Sequence, residues 1–324
     1  PEIILPPITN ENVWGYRRKA RLGVKWVQKK NKVLVGFRER RSSFIADVDM
    51  CHILHPKVGN LLPELSKLIE SLSIKDKIPQ IEVIMDDSSC ILNFRILEKL
   101  NTVDEKLLIE FGKKYKVIPY IQTGGPNSIQ ALNKKIDLYY ELPGQTLKLN
   151  FLPGDFTQIN NYINRKMVTR AIDLLDPKKD DLVLDLFCGV GNFSLALAQR
   201  SRFLCGIEGD EGLVKRAEFN ARNNNIKNVN FLQVDLYKQS LLDFNLKNYN
   251  KVLIDPPRSG AMRVINALPD IGAKEILYVS CYPSTLAQDA KILTENHGYK
   301  LKKAGVMDMF PHTAHVESLA FFQR

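Results

Sequence analysis

The stretch Leu182-Val183-Leu184-Asp185-Leu186-Phe187-Cys188-Gly189-Val190-Gly191-Asn192-Phe193 limits the possible folds more than any other part of the chain. A short apolar run ends in an acid and passes into a turn with two glycines. Helical spacing then runs from Phe193 to about Arg200. Strand, tight turn and helix in this order open a nucleotide-binding α/β domain. Gly189 and Gly191 let the backbone pass close to a ligand where a Cβ would collide. Taken alone, D-x-F-x-G-x-G has a competing reading, a tight βα turn with no ligand.

The chain that follows repeats the pattern. Apolar runs at Phe203–Ile207, Val229–Gln233, Lys251–Ile254 and Glu275–Val279 alternate with helical spacing at Glu211–Asn224, Arg258–Leu268 and Pro283–Asn296. Two more apolar runs, Lys302–Val306 and Glu317–Phe322, close the chain. Upstream, a helix from about Asn161 to Leu175 and then Pro177 lead into the first strand. Five βα units and a terminal strand pair predict a doubly wound α/β sheet in a domain spanning residues 148–324.

Residues 1–147 have a different character and predict a smaller α+β domain. Between Tyr16 and Arg41 stand eleven basic residues and one acidic one. Apolar positions alternate around Leu22–Val27 and Val33–Phe37, with Lys29-Lys30-Asn31-Lys32 between them. That is a β-hairpin with a basic face. One sign of charge dominates so strongly that Arg17, Arg18 and Lys19 are read as phosphate contacts. Tyr16, Trp26 and Phe37 are read mainly as packing beneath the ribbon, with stacking on bases as the alternative. Helical spacing covers 57–73 and Asp104–Lys114, and strands are expected at Ile81–Met85, Cys90–Phe94 and Val117–Gln122. Cys51-His52-Ile53-Leu54-His55 has the look of a metal signature but lacks a second ligand pair, so an isolated zinc site is not expected.

Several polar residues fall where α/β sheets bind ligands, at the carboxyl ends of strands. Glu208 ends the second strand and can accept hydrogen bonds from ribose hydroxyls, and Asp235 after the third can reach an adenine edge. The fourth strand runs into Asp255-Pro256-Pro257-Arg258-Ser259-Gly260 and the fifth into Ser280-Cys281-Tyr282-Pro283. Cys281 thus stands at the mouth of the site before a helix N-terminus, which predicts a lowered thiol pKa. Glu317, in Asp308-Met309-Phe310-Pro311-His312-Thr313-Ala314-His315-Val316-Glu317, is placed to face the same cleft. These positions resemble the S-adenosylmethionine-dependent methyltransferase fold. A nicotinamide domain fits less well, because Ser194 stands where a third glycine is due.

The motifs together resemble the RNA 5-methyluridine methyltransferase family, and within it the branch acting on 23S ribosomal RNA. The carrying stretches are Gly15–Leu22, Gly36-Phe37-Arg38, Phe156–Asn160, Asp185–Phe193, Asp255–Gly260, Ser280–Leu286 and Met307–Ser318. The resemblance implies Cys281 as nucleophile and Glu317 as base. It places Gln158, Phe187, Gly189, Asn192, Glu208, Asp235 and Asp255 around the methyl donor, S-adenosyl-L-methionine, or the target base. Asp255 or Arg258 is expected at the uracil edge. The same branch implies a [4Fe-4S] cluster held by three upstream cysteines and one at the position of Cys51. Those three are not in this sequence, so the cluster is expected only with an upstream cysteine segment. Tyr282 departs from the Asn that the family carries after the nucleophile.

A formal net charge of +10 points to an anionic partner, ribosomal RNA on this reading and transfer RNA as the alternative. No apolar run is long enough to cross a bilayer, and no signal peptide is recognised. Five scattered cysteines argue against a disulfide framework, so a cytoplasmic setting and a monomer are expected. The sequence begins at Pro1 rather than Met, which leaves an upstream segment open. Two other functions compete: an amino-methyltransferase, against which Arg258 and Cys281 argue, and a non-catalytic RNA module that keeps donor affinity.

Overall fold

The computed structural model describes residues 3–324. Contacts divide it into two compact units, each built from separate segments. One comprises Asn12–Tyr140 and Phe151–Asn161; the other comprises the N-terminal residues up to Glu11, Glu141–Asn150 and Tyr162–Arg324. The sequence reading has a single cut between residues 147 and 148. The contacts interleave the segments instead, and local bonds explain why. Arg18 N donates to Ile159 O at 2.9 Å, and Asn161 Nδ2 to Asp87 Oδ1 at 3.0 Å, which ties residues 151–161 to the first unit.

The first unit contains β1 (Lys19–Val27), β2 (Lys32–Gly36), α1 (Pro56–Gly59), α2 (Leu62–Glu70), β3 (Gln80–Met85), β4 (Cys90–Arg95), α3 (Thr102–Tyr115), β5 (Ile118–Gln122) and β6 (Ile129–Ala131). The strands form one sheet in the order β2-β1-β3-β4-β5-β6, antiparallel except for β4 and β5. Its single parallel pair is joined by α3, as a crossover connection requires. Period-two alternation decides the faces of β1. Ala20, Leu22 and Val24 enter a core shared with Leu65, Ile69, Val83 and Leu92, while Arg21 and Lys25 face water. The helix expected over 57–73 is two helices, α1 and α2, with Pro63 in the first turn of the second.

Two strands escape the sequence reading, β7 (Leu138–Leu142) and β8 (Leu147–Phe151), which pair with each other. The second unit continues with α4 (Asn161–Leu175), β9 (Leu182–Leu186), α5 (Ser194–Ala198), β10 (Phe203–Glu208), α6 (Glu211–Asn223), β11 (Val229–Gln233), β12 (Lys251–Ile254), α7 (Met262–Ile271), β13 (Glu275–Ser280), α8 (Pro283–Lys291), β14 (Lys300–Met307) and β15 (Glu317–Gln323). The seven-stranded sheet has the order β11-β10-β9-β12-β13-β15-β14. Strands β9 to β13 are parallel, and β15 runs antiparallel between β13 and β14.

Helices cover both faces. Leu184 and Leu186 of β9, Cys205 and Ile207 of β10 and Val252 and Ile254 of β12 share a core with Val264, Ile265 and Leu268 of α7. The alternate residue Asp185 points to the other face, where Ser194 of α5 donates to it. The chain builds outward from β9 through β10 to β11, then returns to the far side of β9 with β12. Strand order therefore reverses between β9 and β12, and a ligand crevice opens outside their carboxyl ends.

Candidate active site

The turn after β9 is held in an unusual backbone conformation. Phe187 has φ 64°, Gly189 φ 56° and Gly191 φ 90°. Glycine adopts such angles freely, whereas Phe187 carries strain of order 1 kcal/mol. The Glu208 carboxylate anchors the turn. Gly189 N donates to one of its oxygens at 3.0 Å, and Gly209 N and Asp210 N to the other at 2.8 and 3.1 Å. Asn192 exchanges two amide hydrogen bonds with Asn164 of α4, at 2.9 and 3.0 Å. Beneath the turn lies Asp185, fully buried, with Ser194 on one oxygen and no partner on Oδ1. Burial pushes its carboxyl up to about 7.

Asp235 follows β11 at the surface. It pairs with Lys238 at 3.0 Å, and that bond holds its carboxyl below the usual range. Tyr237, two residues on, packs against Phe187 with the rings tilted by 45° and their centroids 5.7 Å apart. Its hydroxyl donates to Gly260 O at 3.0 Å and accepts from Ser259 Oγ at 2.8 Å. The loop carrying Asp255 and Arg258 is thereby tied to the glycine turn. Its far end is fixed by the buried Asp289, which accepts from Ala261 N at 2.8 Å and from the Tyr278 hydroxyl at 2.6 Å.

Strand register brings Asp255, Cys281 and Glu317 together. Asp255 follows β12 and its N–H donates to Leu186 O at 3.3 Å, at the switch point itself. Ser280 of β13 pairs with Ser318 of β15. One residue further along this antiparallel pair, Cys281 comes opposite Glu317. Glu317 is 5% exposed, and burial pushes its carboxyl up to about 7, with Arg258 pulling the other way. Desolvation, then the negative fields of Glu317 and Asp185, hold Asp255 well above the usual carboxylate range. Arg258 donates to the His315 ring at 3.0 Å, and His315 packs edge-on against Phe310 at 5.6 Å.

The Cys281 thiol departs from the expectation of a lowered pKa. Burial, then Glu317 and Asp255, raise it, and Arg258 offsets part of the rise. Loss of hydration, reinforced by the two carboxyl groups, outweighs the partial charge of one helix end. The turn is otherwise as expected: Ser280 Oγ accepts from Tyr282 N at 3.0 Å, and Tyr282 O accepts from Thr285 N at 3.1 Å. The Tyr282 side chain is 46% exposed.

The remaining residues singled out in the sequence lie in the first unit. Gln158 is on the segment 151–161. Arg17, Arg18 and Lys19, expected on phosphates, have partners within the protein. Arg17 Nε donates to Lys19 O at 3.1 Å and its guanidinium lies over Phe37 at 5.4 Å. Arg18 bridges to Asp87 at 2.9 Å and donates to Asp86 O at 2.9 Å. Lys19 Nζ donates to Asp155 O. Cys51 is half-buried, and among the described residues no group of three or more His, Cys, Asp or Glu is arranged to hold a metal.

Sequence reading assigned no role to Asp185, Tyr237, Asn164 or Asp289. A signal existed for Asn164, a lone amide on the apolar face of α4 beside Ile163, Met167 and Val168. Tyr237 and Asp289 gave none, because their contacts come from distant strands.

The crevice is lined by acidic residues. Glu208, Asp255 and Glu317 stand at the strand ends that line it, and burial holds the Asp255 and Glu317 carboxyls above the usual range, with Arg258 pulling Glu317 the other way. Glu208 gives both of its oxygens to the backbone of the glycine turn and of the residues after β10, which sets the turn at the mouth of the crevice. Fold and site thus define an S-adenosylmethionine-dependent methyltransferase.

Comparison with known proteins narrows the class. The family model described as tRNA (Uracil-5-)-methyltransferase matches residues 8–324. A Francisella tularensis subsp. novicida protein named 23S rRNA (uracil(1939)-C(5))-methyltransferase RlmD is 48% identical over 100% of this chain and 74% of its own length. The protein of the same name from Alkalilimnicola ehrlichii is 49% identical over 100% of this chain and 73% of its own. Among solved structures, Pyrococcus abyssi tRNA (uracil-54, C5)-methyltransferase in complex with S-adenosyl-L-homocysteine superposes with a TM-score of 0.76 at 24% identity, covering 98% of this chain and 78% of that one. The chain belongs to the tRNA (uracil-5-)-methyltransferase family.

Proposed function

We propose that the protein methylates C5 of a specific uridine in 23S ribosomal RNA through a covalent bond between Cys281 and C6 of the base. The observation that carries this reading is the register of β13 and β15, which sets a thiol opposite a carboxyl at the mouth of the crevice. The 48% identity to 23S ribosomal RNA enzymes over the whole chain supports the choice of RNA.

Glu208 and Asp255 would hold the donor with Phe187, Gly189, Asn192 and Asp235. S-adenosylmethionine supplies an electrophilic methyl group on a positively charged sulfur. The Cys281 thiolate adds to C6 of uracil, and the C5–C6 electron pair moves toward C5, which can then accept a methyl group. Glu317, with its carboxyl near neutrality, is matched to removing the C5 proton at physiological pH. The electrons of that C–H bond restore C5=C6, and Cys281 leaves as thiolate. Arg258, held by His315, is placed to bind the uracil edge or its developing negative charge.

The first unit, with its basic hairpin, is proposed to hold the RNA while the target base leaves its stack, at a cost of a few kcal/mol. The reading includes a monomeric cytoplasmic enzyme; among the described residues no helix is long and apolar enough to cross a membrane. The test is methylation of 23S ribosomal RNA and transfer RNA transcripts in parallel, with 5-methyluridine mapped by mass spectrometry. A single methylated uridine in the ribosomal RNA supports the reading, modification of transfer RNA alone redirects it, and modification of neither overturns it.

A further inference from the structure

The charge census of the basic hairpin singles out one loop. Of the eleven cations between Tyr16 and Arg41, Arg17, Arg18 and Lys19 are tied down as described. Lys30 and Lys32 share Asp47 at 2.8 and 2.7 Å, and Arg21 lies 3.6 Å from Glu82. Lys25, Lys29, Arg38, Arg40 and Arg41 are exposed, and among the described residues no carboxylate lies within ion-pair distance of any of them; only the three arginines share a loop with an exposed aromatic, Phe44.

These three arginines stand on a tight hairpin extension. Arg38 bridges to Ile45, Ala46 N donates to Phe37 O at 3.0 Å, and Ser42 N donates to Glu39 O at 3.2 Å across the turn. Arg41, third residue of that turn, sits at φ 57°, where glycine or asparagine would be easier. The returning strand places Ile45 inside, against Gly23, and Phe44 outside. Phe44 is 65% exposed although its backbone is fixed at both ends: its N–H donates to Ser42 Oγ at 2.9 Å and its carbonyl accepts from Glu39 N at 2.9 Å. An outward aromatic side chain on a fixed backbone, in a loop with three arginines and one glutamate, Glu39, is the composition of a single-stranded nucleic-acid site. Arginine meets the phosphates, and the ring offers a face to a base.

We propose that the loop Arg38–Phe44 is a stacking clamp for single-stranded RNA flanking the target, with Phe44 against an unpaired base and Arg38, Arg40 and Arg41 on adjacent phosphates. The proposal rests on the RNA reading above and extends it from charge to a specific contact. A duplex presents no free base face, so the clamp discriminates for strand rather than for sequence.

Fluorescence anisotropy with a labelled RNA of roughly 12 nucleotides, single-stranded and as a duplex, tests it without donor or turnover. Phe44→Ala and Phe44→Leu are expected to weaken single-strand binding roughly tenfold and leave duplex binding unchanged, while Phe44→Trp stays within about twofold of the parent. Arg40→Ala and Arg41→Ala are expected to flatten the logarithmic salt dependence by roughly 0.7 each. Parental affinity in Phe44→Ala, or in Phe44→Leu, overturns the stacking role, the latter by showing a merely apolar contact. Equal losses on duplex and single strand overturn strand discrimination, and unchanged salt slopes overturn the phosphate contacts. Because the assay reads binding alone, loss of the methylation reading with these effects intact leaves the loop an RNA site. Methylation with none of them removes the clamp only.

Discussion

Replacing Glu317 by Gln is expected to make the protein more stable and the enzyme far slower. Burial pushes the Glu317 carboxyl from an ordinary 4.5 up to about 7. The folded state therefore keeps a proton that the unfolded chain releases between these two values. The group costs nothing below about pH 4.5, and its cost grows as pH rises to about 7 and is complete above it. A tenfold change in acidity is worth ~1.4 kcal/mol, so the full cost has an upper value of about 3 kcal/mol at pH 8. Glutamine has the same shape and no charge, and removes this dependence. Urea unfolding of parent and variant at pH 4.5 and pH 8 measures it. The stability difference should move by about 2–3 kcal/mol in favour of the variant between the two pH values. A pH-independent cost of the buried amide cancels in that comparison. The kinetic counterpart is slow release: the amide cannot accept the C5 proton, so a methylated RNA adduct should accumulate, with turnover down at least about a hundredfold. A pH-independent stability difference would refute the buried-base argument, and normal turnover would refute the role.

Three further outcomes follow from the same geometry. Cys281→Ala should abolish methylation and leave donor affinity, measured by calorimetry, within about threefold of the parent, because the thiol lies across the crevice mouth from the glycine turn. Glu208→Gln should weaken donor binding by about 1.5–3 kcal/mol, the usual value for hydrogen bonds to a charged group, and unchanged affinity would remove the ribose role. Arg18→Ala should lower stability by about 1 kcal/mol and leave the salt slope of RNA binding unaltered, since Arg18 is bonded to Asp87 and Asp86 rather than open to phosphate.

The second unit was legible because its strands are short apolar runs separated by helical spacing, and β11, β12 and α4 fall on the expected residues. The pair β7 and β8 was not, since Leu138–Leu142 and Leu147–Phe151 mix tyrosine, glutamate, lysine and asparagine without a continuous apolar run. In the site, Cys281, Glu317 and Asp255 were legible as polar residues at strand ends. The direction of the thiol shift was not, because the burial of Cys281, and after it the approach of Glu317 and Asp255, arise only through sheet register. Arg17, Arg18 and Lys19 illustrate the same limit. Their sequence neighbourhood is uniformly basic, but the groups that occupy Arg18 and Lys19 lie up to 136 residues away. A charge run shows how many cations exist, and only tertiary contacts show which are left over.

The central claim is a covalent bond from Cys281 to the base, and RNA containing 5-fluorouridine tests it most directly. Fluorine cannot leave as a cation, so the adduct formed after methyl transfer is not resolved by a base. Incubation with S-adenosylmethionine, digestion and mass spectrometry should yield one RNA-linked peptide, joined through Cys281 and absent from Cys281→Ala. A link through another residue, or no link while ordinary RNA is methylated by the same preparation, would contradict the account.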